Sequence, residues 1–171
     1  MIGFSFRRLS TDDFHMLHDW LNRAHVAEWW TPTPTQAEVR EDFAPLTYPD
    51  ADTRGYIALL DGVPAGFIQS YVVLGSGDGW WPDETDPGAR GIDQFLANGT
   101  MLNQGHGSAM IRTFVDGLLL DPAVTRVQTD PSPRNARAIG CYKRAGFTSV
   151  GEVDTPDGPA LLMVRGREPL R

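Results

Sequence analysis

The order of strand-like and helix-like segments predicts a mixed α/β (α+β) sheet with helices packed on it. Three observations carry that expectation. The chain starts in an alternating run from Ile2 to Leu9. Two strand-like runs flank Asp61-Gly62, the pattern of a tight β-hairpin. Two helical patterns, one opened by Gly105-His106-Gly107 and one running from Asn135 to Ala145, alternate with further short strand-like runs.

Taken in order, Ile2 to Leu9 reads as the first strand. Ser10 or Thr11 then caps a helix whose Phe14, Leu17 and Leu21 share one face, with Asp12 and Asp13 in the first turn. Pro32 and Pro34 break the chain after Trp29-Trp30. Thr35 with Glu38 resembles a capping box for a short helix reaching Phe43. Arg54 to Leu60 and Ala65 to Val73 form the hairpin, and Gly91 to Ala97 is the next strand. The helix opened by Gly105 carries Met110, Ile111, Phe114, Val115, Leu118 and Leu119 at helical spacing and stops at Asp121-Pro122. Val124 to Thr129 is a short strand. Asn135 to Ala145 is a helix closed by Gly146 at the position that favours left-handed geometry. Phe147 to Val153 and Ala160 to Val164 then pair across Pro156-Asp157-Gly158.

The length of 171 residues suits a single domain, residues 1–171, with a sizeable core. The formal charge of −7 disfavours nucleic acid; it favours cationic partners or, the simpler reading of the charge alone, only keeps the protein soluble. The lone cysteine, Cys141, excludes an internal disulfide and reads as a packing residue; no paired Cys/His spacing suggests a metal site. The start of the chain lacks the pattern of a signal peptide and no run has the length of a membrane span, so a cytoplasmic protein is expected.

Gly75 to Asn98 is the most unusual segment. It sets five acidic residues (Asp78, Asp83, Glu84, Asp86, Asp93) against one basic residue, Arg90, and adds the tandem Trp80-Trp81. Carboxylates pair with ammonium groups and indole faces cover a ring or a cation, so the composition suits a pocket for a polycationic small molecule. By contrast, Arg134 to Arg144 holds four basic residues and no acidic one. Two ligands, or one with two poles, fit that asymmetry; so does a solvated basic helix face. The Gly-x-Gly that opens a helix after a strand suits an anion, whose charge the helix N-terminus favours.

A strand, a Gly-x-Gly helix, a second strand and then Asn135-x-x-Ala-x-x-x-Tyr142-x-x-x-Gly-Phe147 together resemble the acetyl-CoA site of the GNAT superfamily of N-acetyltransferases. One departure is Leu102, where the superfamily usually has glutamine or arginine. Within the superfamily, Asn22-Arg23, Glu28-Trp29-Trp30, Gln69-Ser70-Tyr71, Gly75 to Trp81, Glu84 to Gly88, Arg90 to Gln94, Gln128 to Pro133 and Thr155 to Ala160 resemble the aminoglycoside 6′-N-acetyltransferases. The resemblance implies a mostly antiparallel, splayed central sheet flanked by about four helices. It implies acetyl transfer from acetyl-CoA, without a metal, to the 6′-amine of an aminoglycoside, conferring resistance, by direct attack in a ternary complex. The competing expectation is a related acyltransferase acting on a siderophore precursor, a polyamine or a protein amine.

What the resemblance implies for single residues follows. Asp93 deprotonates the amine, directly or through water, or only anchors it. Tyr142 protonates the leaving thiolate; its alternative is a core aromatic. The amides of Phe95, Leu96 and Ala97 polarise the acetyl carbonyl. Gln104, Gly105, His106, Gly107 and Ser108 hold the pyrophosphate, with Asn135 and Arg137 further candidate contacts to the cofactor. Asp78, Asp130 and Asp157 hold ligand ammonium groups, or are turn residues. Trp30 and Trp80 flank the sugar rings, while Trp29 and Trp81 pack. A monomer is the default, with a dimer as the alternative.

Overall fold

The computed structural model describes residues 3–167. Seven strands form a sheet in the order β1-β2-β3-β4-β5-β7-β6: β1 Phe4–Arg8, β2 Thr53–Leu60, β3 Val63–Val72, β4 Ala89–Leu96, β5 Arg126–Thr129, β6 Thr148–Thr155 and β7 Gly158–Gly166. The helices are α1 Phe14–Leu21, α2 Ala24–Ala27, α3 Gln36–Phe43, α4 His106–Leu118 and α5 Ala136–Arg144. The mixed, mostly antiparallel sheet flanked by helices is the expected architecture. Of the expected first strand, Ile2 lies outside the described residues. The four-residue α2 has no periodic signature and was not expected.

The chain divides into two compact units, Met1–Ser70 with Gln94–Gly107, and Tyr71–Asp93 with Ser108–Arg171. In the first, β1 and β2 pair antiparallel from Phe4↔Leu60 to Arg8↔Tyr56. The hairpin turn holds Asp61 at φ 49° and Gly62 at φ 83°, the left-handed pair that a two-residue turn between twisted strands requires. Ser10 caps the turn into α1 in a capping box with Asp13, whose carboxylate also takes both guanidinium nitrogens of Arg7 at 2.8 Å. Thr35 caps α3 by accepting from the Glu38 amide at 3.2 Å. Leu17, Leu21, Val39, Ile57, Phe67 and Phe95 belong to the buried core of this unit.

In the second unit, β4 and β5 run parallel, from Ala89↔Arg126 to Gly91↔Gln128. β5 and β7 pair antiparallel, as do β6 and β7. Met110, Ile111 and Val115 of α4 are fully buried with Val127 and Met163. Asn135 caps α5 by accepting from the Ala138 amide at 3.2 Å, and Gly146 ends it at φ 97°.

Candidate active site

The parallel register brings two of the expected carboxylates together. Gly91 and Gln128 are paired, so their side chains lie on one face of the sheet. Asp93 lies two residues further along β4 and Asp130 just past the end of β5, near enough for the Asp93 charge to act on Asp130. Gln128 there is 2% exposed, and its Nε2 has no hydrogen-bond partner among the described residues.

Tyr71 crosses the same face. A Cβ on Gly91 would stand 2.0 Å from Tyr71 Cζ, so the phenol ring occupies the space of the missing side chain. Burial first, then the charges of Asp93 and Asp130, push the Tyr71 hydroxyl well above the ordinary phenol range. It therefore keeps its proton. Its oxygen accepts from Trp81 Nε1 at 3.1 Å. Trp81 adopts φ 47°, a left-handed conformation that a bulky residue rarely takes, and the bond to Tyr71 holds the indole there. Trp80 is half-buried and tilted 46° against Trp81, with ring centroids 6.2 Å apart.

Asp130 is the most perturbed carboxylate. Burial first, then the charges of Asp93 and Asp157, push its carboxyl up to about 8. Asp157 is exposed in the β6–β7 turn, where its amide donates to Thr155 Oγ1 at 3.2 Å. A Cβ on Gly79 would stand 3.2 Å from Pro156 Cγ, so the acidic loop lies against that turn. The charges of Asp93 and Asp157 thus both bear on Asp130, and those of Asp93 and Asp130 on the protonated phenol of Tyr71. Such an arrangement repels its own charge and attracts a ligand with several ammonium groups.

The other acidic residues of the loop differ among themselves. Asp78 is exposed. Glu84 is paired with the Arg126 guanidinium, which also reaches Asp86 at 3.5 Å. Thr125 donates to Asp86 at 2.5 Å, and with the Gly88 amide holds that carboxyl below its usual range. Glu84 and Asp86 therefore anchor the loop to the start of β5. Arg126 lies outside the segment whose composition made the loop look uncompensated.

Tyr142 lies on α5, 3% exposed, with its ring edge-on to Phe147 at 5.5 Å, and it contributes to raising Tyr71. Asn135 spends its side-chain oxygen on the α5 cap. Arg137 is exposed in the first turn of that helix.

In the first unit, Trp30 is half-buried and meets Phe67 and Phe95 edge-on at 6.1 and 5.2 Å. Phe95, Leu96 and Ala97 are buried at the end of β4. Their amides are not equivalent. The Ala97 amide donates to Ala65 O at 2.9 Å, whereas Leu96 O accepts from His25 Nε2 at 2.8 Å. Extended backbone points the N–H and C=O of one residue to the same edge and alternates edges along the chain. The Leu96 amide therefore faces away from β3, to the same side as its carbonyl.

At the start of α4, Gly105 has φ 85°, and His106 is half-buried with an Nδ1 that finds no partner among the described residues. Gly107 is buried and Ser108 half-buried. Gln104 is exposed, and its Nε2 donates to Thr100 O at 2.7 Å. Helix amides, a left-handed glycine and an orphaned imidazole nitrogen fit a phosphate-bearing cofactor. Among the described residues, no group of three or more His, Cys, Asp or Glu is placed to hold a metal ion, and no helix is long and apolar enough to cross a membrane.

The fold and these motifs define a class of protein: residues 10–155 match the acetyltransferase (GNAT) domain. An aminoglycoside N(6′)-acetyltransferase type 1 of Klebsiella pneumoniae is 52% identical over 167 residues, covering 96% of this chain and 83% of that protein. A crystal structure of aminoglycoside acetyltransferase AAC(6′)-Ib in complex with coenzyme A and kanamycin superposes with a TM-score of 0.92 at 52% identity, covering 96% of this chain and 95% of the other. A lysine N-acyltransferase, MbtK, of Mycobacterium sp. (strain MCS) is more distant, at 28% identity over 171 residues, covering 97% of this chain and 68% of that protein. This chain belongs to the aminoglycoside N(6′)-acetyltransferase family of the GNAT acetyltransferases.

Sequence reasoning singled out Asp93, Asp130, Asp157 and Tyr142, which the structure gathers in the second unit. It did not single out Tyr71, which it quoted only as part of a family run; Trp81, read as packing, lies against Trp80 and donates to Tyr71. The one signal for Tyr71 was Gly91, a glycine inside a strand, which marks a close approach.

Proposed function

We propose that this chain transfers the acetyl group of acetyl-CoA to the 6′-amine of an aminoglycoside and so confers resistance to such drugs. The observation that carries the proposal is the buried Asp130 carboxyl, pushed up by burial and by the charges of Asp93 and Asp157, close to Tyr71 and its partner Trp81. A ligand with one amine does not need three carboxylates; a polyamine drug does. That favours an aminoglycoside over the single amine of a lysine derivative.

The roles follow from what each group can do. Acetyl-CoA supplies a thioester carbonyl and a thiolate leaving group when bound. The Leu96 amide donates to the carbonyl oxygen as it gains charge. Asp93 orients the 6′-ammonium and takes its proton, directly or through water, so that the nitrogen lone pair attacks. Tyr142 returns a proton to the thiolate. Asp130 and Asp157 hold further ammonium groups, with Asp78 at the exposed end of the loop. Trp80 and Trp30 offer ring faces to the sugars. The amides from Gln104 to Ser108, with His106, hold the pyrophosphate, and Arg137 adds positive charge near the cofactor. Attack is direct, with no covalent acyl-enzyme. We place the enzyme in the cytoplasm, where acetyl-CoA is made, and take it to be a monomer.

The test is thiol release from acetyl-CoA across aminoglycosides that do and do not carry a 6′-amine. Release is expected with kanamycin and tobramycin and not with 6′-hydroxy analogues. Release with none of them, or equal release with both groups, overturns the proposal.

A further inference from the structure

We infer that Arg23 and His25 are positioning residues for acetyl transfer, clamping the end of β4 so that the Leu96 amide is held toward the acyl group. The inference rests on the proposed role of that amide as the donor to the thioester carbonyl.

The geometry is specific to one peptide group and its neighbour. His25 Nε2 lies 2.8 Å from Leu96 O, and Arg23 Nη1 lies 2.7 Å from Ala97 O. A carbonyl only accepts, so His25 Nε2 carries the proton in this contact. The Leu96–Ala97 peptide is thus gripped at both ends: its oxygen by His25, and its N–H by Ala65 O at 2.9 Å. A planar trans peptide held at both ends has little freedom to rotate. Because Leu96 is extended, fixing the direction of its carbonyl also fixes the direction of its own amide.

Both side chains come from one corner of the chain. Arg23 is the residue before α2, and His25 lies in that helix. Neither side chain caps α2; Arg23 has no cap bond and an extended backbone. The second guanidinium nitrogen of Arg23 donates to Asp19 Oδ2 at 2.8 Å, which aims the fork. The His25 ring lies over Gly99, where a Cβ would stand 3.5 Å from Nδ1. The α1–α2 corner, absent from any periodic pattern, thereby gains a reason for its position. A hydrogen-bond donor to a developing negative charge acts only when it is already in place, since misplacement by about 1 Å costs on the order of 100-fold in rate.

The test uses the full chain and acetyl-CoA labelled with ¹³C at the acetyl carbonyl. The carbonyl stretch of the bound thioester is read by difference infrared spectroscopy without any aminoglycoside, so it reports on the clamp even if the drug specificity is wrong. kcat and KM are measured alongside. For His25→Ala, the stretch should move back toward that of free acetyl-CoA, and kcat should fall about 100-fold with KM for acetyl-CoA changed by about twofold or less. His25→Gln offers an amide donor without titrating, and should restore both readouts with an unchanged pH profile. Arg23→Lys, which cannot reach Ala97 O and Asp19 together, should give an intermediate shift, and it carries the test if His25→Ala does not fold. A folded His25→Ala or Arg23→Lys with the wild-type stretch overturns the inference. So does a pH limb lost in both His25 variants, which would make His25 a proton carrier instead.

Discussion

The Tyr71 ring rests on the bare Cα of Gly91, so closely that a Cβ there would stand 2.0 Å from Cζ and 2.4 Å from the hydroxyl oxygen. Gly91 is not needed for an unusual backbone angle; it is needed for space. Gly91→Ala must push Tyr71 off the sheet face, and overpacking of this kind costs about 1–3 kcal/mol. The variant should melt at a lower temperature and lose most acetyl transfer, and its tryptophan fluorescence should shift as Trp81 loses its anchor. Normal thiol release in this variant would mean that the Tyr71 position is immaterial.

Removing only the hydroxyl is a milder experiment. Tyr71→Phe keeps the ring over Gly91 but takes the acceptor from Trp81 Nε1. The loss should be about 1 kcal/mol of stability, the usual worth of one neutral hydrogen bond. Trp81 sits in a left-handed conformation and is free to leave it once untethered. KM for the aminoglycoside should rise several-fold while kcat changes little. Because Tyr71 stays protonated at all working pH values, the limbs of the pH–rate profile should not move. A shifted limb would show that the phenol takes part in proton transfer.

Arg126 ties the acidic loop to β5 through Glu84 and Asp86. Arg126→Met should leave Glu84, whose side chain is only 11% exposed, without its partner. A buried charge that loses its ion pair is costly, and the expected destabilisation is on the order of 2 kcal/mol. The loop should also become a site of limited proteolysis, with KM for the aminoglycoside raised and KM for acetyl-CoA unchanged. Equal effects on both KM values would mean that the tie serves the whole fold rather than the loop.

Sequence made the local features legible. The Asp61-Gly62 turn, the Ser10 and Thr35 caps and the Gly146 stop are each written in a few adjacent residues, because turn and cap chemistry is local. The family motifs marked Asp93 and Tyr142. The side-by-side placement of Asp93 and Asp130 was not legible, since it depends on the register Gly91↔Gln128 between strands far apart in sequence. The same distance hid Arg126, so Glu84 and Asp86 were counted with the acidic residues suited to a cationic ligand although Arg126 pairs with both. Composition counts charges within a segment and is blind to partners from elsewhere. Arg23 and His25 carried no periodic signal because their work is done through β4 carbonyls, which every sequence has.

Asp130 gives the clearest prediction in pH. Its carboxyl, pushed up to about 8 by burial and by the charges of Asp93 and Asp157, titrates far above the value of about 4 expected in the unfolded chain. Between those values the native protein keeps the proton and the unfolded chain does not, so stability falls as pH rises through the window and levels off above it. Asp130→Asn abolishes that slope. The variant should be less stable than, or equal to, wild type at pH 5, and more stable at pH 8, by an amount on the order of 2 kcal/mol or more. A bound ammonium group reverses the penalty by neutralising the carboxylate. Binding of a 6′-amino aminoglycoside at pH 7 should therefore release a proton from Asp130, seen as a dependence of the calorimetric enthalpy on the buffer's ionisation heat. Asp130→Asn should bind the drug more weakly and lose that part of the proton release. Parallel stability curves for the two proteins between pH 5 and pH 8 would show that Asp130 is charged throughout, and that its neighbours do not hold its proton.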